Sequence, residues 1–317
     1  MLERRTRIAL PFVLLIAILA VSTSAVFVRF AQEDAPSLVI AALRLTCATL
    51  LLAPLAWTRH RVELLSLTRR QLALGLVAGL FLAVHFATWI SSLEYTSVAS
   101  SLVFVSTGPL WVALFSSALL NERLAPGAII GLMVAMAGGM IIGISDACTW
   151  DGGPRCPQLG QALQGRAMWG NFLALAGAWT VSGYLMIGRK LRGARNMSLI
   201  PYVFLVYGMS ALALIAMMLA AGQSPLGYPL SVYGWIVLLA AFPQLIGHSI
   251  YNWVLRYIPA TLVAIVTLIE PLGSAILAYL VLRETPSRGV MLGGVLILLG
   301  IYLASQSRTP GSQPDDV

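Results

Sequence analysis

Ten apolar runs of about 20 residues each divide the chain, at roughly 8–28, 36–57, 71–92, 97–119, 127–144, 167–188, 198–221, 232–255, 261–282 and 288–305. That length is what an α-helix needs to cross the ~30 Å apolar core of a bilayer. No water at that depth can pair with the backbone, so each segment must satisfy its own amides and carbonyls, and it does so as a helix. The composition agrees: 59% of the residues are hydrophobic, 10% are charged, and the mean hydropathy is +0.86. A soluble domain carries about a quarter charged residues. The chain therefore reads as an all-α, polytopic membrane protein of ten transmembrane helices. The first run is too long, and its flanks too unlike a cleavage site, for a removed signal peptide.

Orientation follows from where Lys and Arg fall. With the N terminus inside, the inner segments hold 14 of the 20 basic residues, while the outer connections and Arg29 hold five and Arg44 lies within a span. Both termini are thus expected in the cytoplasm. The net charge of +8 is spent on topology, and no nucleic-acid partner is implied. Cys47 falls inside a span and packs as a small apolar residue. Cys148 and Cys156 fall in the one long outer loop, where a disulfide is the favoured state if that side is oxidising.

A shift of 162 residues lays 93–138 on 255–300 without gaps. Leu93, Tyr95, Pro109, Leu110, Ala113, Leu120, Glu122, Gly127, Gly131 and Gly138 each meet an identical residue. The unit is five spans, an odd number, so the second copy enters the membrane from the opposite side. The division is 1–146 and 167–305 as five-helix repeats, 147–166 as an outer loop and 306–317 as a disordered tail. Inverted repeats are built around a substrate site near the midplane, reached from alternate sides.

The segments "PLWVALFSSALLNERLAPGAIIGLMVAMAGG" and "EPLGSAILAYLVLRETPSRGVMLGGVLILLG" carry a likeness to a known family. Each has a Pro within a span, a Glu at its end and a glycine-lined span after it. "VFVRFAQEDAPSLVIAALRL" and "SGYLMIGRKL" fit as well. In these the chain resembles a ten-helix, EamA-type member of the drug/metabolite transporter superfamily. The resemblance implies export of amino acids, metabolites or drugs across a bacterial cytoplasmic membrane.

Glu270 is the one carboxylate in its run. It lies ~14 Å into the core from Thr261, where a charge costs at least ~2.5 kcal/mol, so it is expected to face a cavity or a partner. A carboxyl can carry a proton, and Glu270 is the candidate for proton coupling. Pro271 and its mate Pro109 have no N–H for the carbonyls of Thr267 and Val105, and kinks are expected there. Arg44, at nearly the depth of Glu270, is its candidate partner. The pair suits the two ends of a zwitterion, or Arg44 bonds helix carbonyls and fixes the bundle. Arg29 is expected to snorkel to the surface.

Gln244, His248 and Asn252 stand four apart on one helix side, flanked by Tyr251. His85 and Trp89 answer them in the third span. Trp89, Trp111, Trp179 and Tyr184 form either an aromatic box or interfacial anchors. Glu122 and Glu284 read as helix-end residues paired locally with Arg123 and Arg283. Gly127 with Gly131, and Gly289 with Gly293, have the spacing of close helix packing within a monomer, with at most a weak homodimer.

The only lysine, Lys190, is followed by Leu191, so no phosphate-binding loop exists. Neither H-E-x-x-H nor G-x-S-x-G occurs, and no Cys/His spacing suits a metal. An enzyme is not expected, nor a metal or cofactor. The expected function is a secondary active transporter exporting small amino-acid-like or amphipathic metabolites by alternating access, with proton coupling. A multidrug or organic-cation exporter or an uncoupled facilitator is the alternative, and a receptor or scaffold the more distant one.

Overall fold

A computed structural model describes residues 2–120, 126–147, 165–194, 197–257 and 266–306, together with 260 and 263. Cys148, Cys156, Glu122 and Arg123 lie outside the described residues. Among those described there are helices and turns and no strand.

The first run is α1 (Leu2–Ser22) and α2 (Ser24–Gln32), followed by α3 (Ser37–Arg59), the short α4 (Arg61–Leu65) and α5 (Arg69–Ser92). The fourth run is split into α6 (Val98–Val105) and α7 (Gly108–Leu120), and the fifth is α8 (Pro126–Ala147). Next come α9 (Arg166–Arg189), α10 (Leu199–Ala220) and α11 (Leu230–Leu239), then a π-helical segment (Ala240–His248) and α12 (Ser249–Val254). The ninth run holds a 3₁₀ turn (Thr267–Ile269) and α13 (Glu270–Leu277), and α14 (Arg288–Gln306) closes the fold. Among the described residues six helices are long and apolar enough to cross a membrane, and shorter apolar helices occupy the other four runs.

Local chemistry sets the boundaries. Thr68 opens α5 with a capping box: its hydroxyl accepts from Gln71 N while the Gln71 side chain accepts from Thr68 N. Ser97 caps α6 by accepting from Ser100 N. Pro243 has no N–H to continue the helical ladder, and the chain widens into the π-helical turns around it. Leucines and methionines such as Leu50, Leu219, Met133 and Met291 are more than half exposed along helix flanks, an apolar surface that suits lipid rather than water.

The packing has a two-fold pattern. α8 lies along α14, where Gly138 meets the Gly293 backbone and Gly300 meets that of Gly131; a Cβ at Gly138 or Gly300 would collide with the facing chain. The shift of 162 turns the first of these contacts into the second. α5 packs on α9 as the π-helical segment packs on α1, and α1 packs on α13 as α9 packs on α6 and α7. The core these helices enclose includes small Ala17, Ala41, Ala78 and Ala83 beside large Phe86, Tyr202 and Tyr207, all inaccessible to solvent.

Candidate functional site

Both prolines of the repeat sit at breaks. α6 ends at Val105, Ser106 and Thr107 turn, and α7 restarts at Gly108. In the ninth run the 3₁₀ turn ends where α13 starts at Glu270. The Thr267 carbonyl, which Pro271 cannot reach, accepts instead from the Glu270 N–H. A proline alone would leave that oxygen unpaired; the backbone has tightened to a 3₁₀ turn and re-made the bond.

A serine from another helix ties down each break. Ser182 in α9 donates to the Gly108 carbonyl at 3.0 Å, and Ser22 in α1 makes a longer contact to the Glu270 carbonyl at 3.4 Å. Ser274 returns a bond to Ser22 O at 3.0 Å. Gly108 and Glu270 are repeat mates at 162. Ser22 and Ser182 are mates at 160, a shift that also carries Val21 onto Val181 and Arg29 onto Arg189.

Between the breaks lies a cavity of about 80 Å³. Val105, Gly108 and Pro109 at the first break and Thr267 and Glu270 at the second line it, with Val21 and Ser24 of the first run and Val181 and Tyr184 of the sixth. His85, Phe86 and Trp89 from α5, with His248 and Tyr251 from the eighth run, close it with rings. Phe86 meets His248 edge-on with centroids 5.4 Å apart, and His85 lies parallel to Trp89 at 6.2 Å. His85 Nδ1 is 2.9 Å from Gly177 O; a carbonyl only accepts, so that nitrogen carries hydrogen.

Six of the residues singled out from sequence as substrate-binding line the cavity: His85, Trp89, Tyr184, His248, Tyr251 and Glu270. Arg44 does not. Fully buried, it donates from Nε to Gln244 Oε1 and from Nη1 to Ser24 Oγ, both at 3.1 Å, and its guanidinium stacks 4.2 Å from the centre of Phe86. No ion pair joins it to Glu270 among the described residues. Gln244 thus serves Arg44, and Asn252 holds the wall from behind, donating to Tyr184 OH and to His248 O. Trp111 and Trp179 meet edge to face at 5.2 Å, away from the cavity.

Arg29 does not snorkel free. It pairs with Glu284 Oε1 at 3.1 Å and donates to Thr96 O at 3.0 Å, because the turn after the ninth run brings an acid and the turn after α5 brings a carbonyl to it. Glu284 Oε2 accepts from Val98 N at 3.0 Å, so it is a link between runs rather than a local partner of Arg283. Sequence reasoning missed Phe86, Ser24, Val181 and Leu185. The pattern V-S-x-x-x-x-x-x-R, shared by 21–29 and 181–189, would have found the first- and sixth-run walls.

The EamA-like transporter family matches residues 9–144 and 168–306. An uncharacterized transporter of Archaeoglobus fulgidus is 21% identical over 68% of this chain and 69% of its own. One of Clostridium kluyveri is 26% identical over 79% and 78%. The uncharacterized transporter YetK of Bacillus subtilis is 22% identical over 70% and 63%. A crystal structure of 20% identity shares the fold with a TM-score of 0.63, covering 93% of this chain and 96% of that one.

Proposed function

The chain belongs to the EamA-like transporter family, and on that footing we propose that it is a secondary active transporter that exports small amphipathic solutes across the cytoplasmic membrane. In this reading ten spans form two inverted five-helix repeats with both termini inside. The halves rock about the central cavity, which opens to one side at a time. It acts as a carrier rather than an enzyme.

One observation carries the reading: two proline breaks, each held by a serine of another helix, face each other across a cavity in the middle of the bundle. Broken helices around a central site are how inverted-repeat transporters make polar groups available within lipid. Glu270 is the carboxyl in that cavity able to exchange a proton for a substrate, beside the imidazoles of His85 and His248.

The test is transport by the purified chain in proteoliposomes, with a panel of labelled small solutes and an imposed pH gradient. Saturable flux with counterflow, driven by the gradient, is expected. Flux indifferent to the gradient makes the protein an uncoupled facilitator, and no counterflow with any solute overturns the transport reading.

A further inference from the structure

We infer that the cavity is a site for a small organic monocation, an amine with a compact apolar body, held by Glu270 as counter-ion against the rings of Phe86, Trp89 and Tyr251. The inference rests on the transport reading for its biological sense and on the cavity's chemistry for its content.

The carboxylate of Glu270 lines the cavity, and among the described residues it has neither a hydrogen-bond donor nor a cation within pairing distance. Arg44 acts on this partly buried acid only through space, so its carboxylate has no contact partner, and a guest cation supplies one. Aromatic faces attract the same guest: a cation within ~6 Å of a ring centre is held by the ring quadrupole, more strongly when water is excluded. Trp89 Nε1 and Tyr251 OH are also buried without partners, so the walls are unfinished as a hydrogen-bond network as well. An ammonium guest can donate to the Glu270 carboxylate and to Tyr251 Oη, whereas Trp89 Nε1 only donates and offers the guest its ring face instead.

A zwitterion or an anion fits worse. Among the described residues the wall carries no Lys or Arg; its nitrogen bases are His85 and His248, and His85 Nδ1 is already committed to Gly177 O. Arg44 has an unpartnered Nη2, but it stands outside the wall, and its Nε and Nη1 are committed to Gln244 and Ser24. A substrate carboxylate would have to share the cavity with Glu270 or displace Ser24 or Phe86 to reach the guanidinium. The repeat makes the point again: Gly108 stands where the other half has Glu270, so the cavity has one acid and, opposite it, room for the body of a guest.

The test compares four probes sharing one apolar body: 3-methylbutylamine (cation), leucine (zwitterion), 4-methylpentanoate (anion) and 3-methylbutanol (neutral). Binding to the purified full chain in nanodiscs is followed by calorimetry and tryptophan fluorescence. The amine is expected to bind at least roughly tenfold more tightly than the other three. Glu270→Gln should lose that preference and Glu270→Asp keep most of it, with thermal unfolding run on each variant. If either variant fails to fold, the four-probe ranking on the unchanged protein decides alone. Equal binding of all four, a preference for leucine, or amine binding unaffected by Glu270→Gln overturns the inference. Leucine counterflow without amine binding sinks this inference and leaves transport standing, whereas Glu270-dependent amine binding with no flux of any solute does the reverse.

Discussion

Arg29→Gln should loosen one end of the bundle. Arg29 holds the Glu284 carboxylate at 3.1 Å and the Thr96 carbonyl at 3.0 Å, and Glu284 also receives the amide of Val98. Three chain segments, from the first run, the turn after α5 and the turn after the ninth run, thus meet in one polar knot. The opposite end shows the counterpart. Arg189, the mate of Arg29, donates to Leu255 O at 2.6 Å and Arg256 O at 3.2 Å. α9 starts against Tyr95 and Thr96 and ends at Arg189, so its 24 residues put ~36 Å between the two knots. In the proposed rocking of the halves, the knots open in turn.

The magnitude follows from exposure. The Arg29 and Glu284 side chains are 26% and 30% exposed, so the pair itself contributes about 0.5–1 kcal/mol rather than the 3–5 kcal/mol lost on breaking a buried one. The charged hydrogen bond to Thr96 adds roughly 1 kcal/mol. A total near 1.5–2 kcal/mol shifts the closed-to-open ratio about 10–30-fold. Ala275→Cys, beside Glu284 in a small crevice, reports it in a background lacking the three native cysteines. Its labelling by an impermeant maleimide should speed up by about that factor in Arg29→Gln. Glu284→Gln keeps an acceptor for Val98 and should give a smaller gain, and the double variant should add little. Labelling at an unchanged rate in both single variants would refute the knot as a gate.

Glu270→Gln should abolish flux driven by a pH gradient while leaving solute exchange, and Glu270→Asp should keep part of both; an unchanged rate and pH profile in Gln reduces Glu270 to a structural acid. Arg44→Ala should cost roughly 3–5 kcal/mol, since it opens a cavity under Phe86 and strands Gln244 and Ser24. A large fall in the thermal unfolding midpoint checks it. Gly138→Leu drives a side chain into the Gly293 backbone and should destabilise by about 3 kcal/mol, while Gly208→Ala, whose nearest neighbour is Thr49 Cγ2 at 3.6 Å, should be neutral within about 0.5 kcal/mol. Thermal melts of the two variants side by side separate these outcomes.

The sequence made the helices legible because length and apolarity are local properties, and Pro109 and Pro271 stood out because their effect on the backbone is local too. What faces what was harder. Arg44 and Glu270 share a depth and act on one another through space, but rotation of α3 about its axis turns the guanidinium's hydrogen bonds toward Gln244, two hundred residues away in sequence, and only packing sets that rotation. Ser22 and Ser182 were invisible for a different reason. A serine in a membrane helix commonly satisfies itself on its own turn, as Ser182 also does on Ala178 O at 2.7 Å, so nothing in the sequence marks its second bond across to a broken helix.

The contrast between buried Arg44 and partly buried Glu270 orders the whole site. Arg44 sits among neutral dipoles and a ring face, which spread its charge without neutralising it, and its withdrawal from the cavity wall makes it part of the frame. Glu270 is given no such shell. It heads a helix that starts afresh after a break, and its own backbone carbonyl, not its carboxylate, is what Ser22 contacts. The acid shares the cavity wall with Trp89 Nε1 and Tyr251 OH, which are unpartnered as well. A cationic guest entering that place would pair the carboxylate and donate to Tyr251 Oη, with the Trp89 ring face against it.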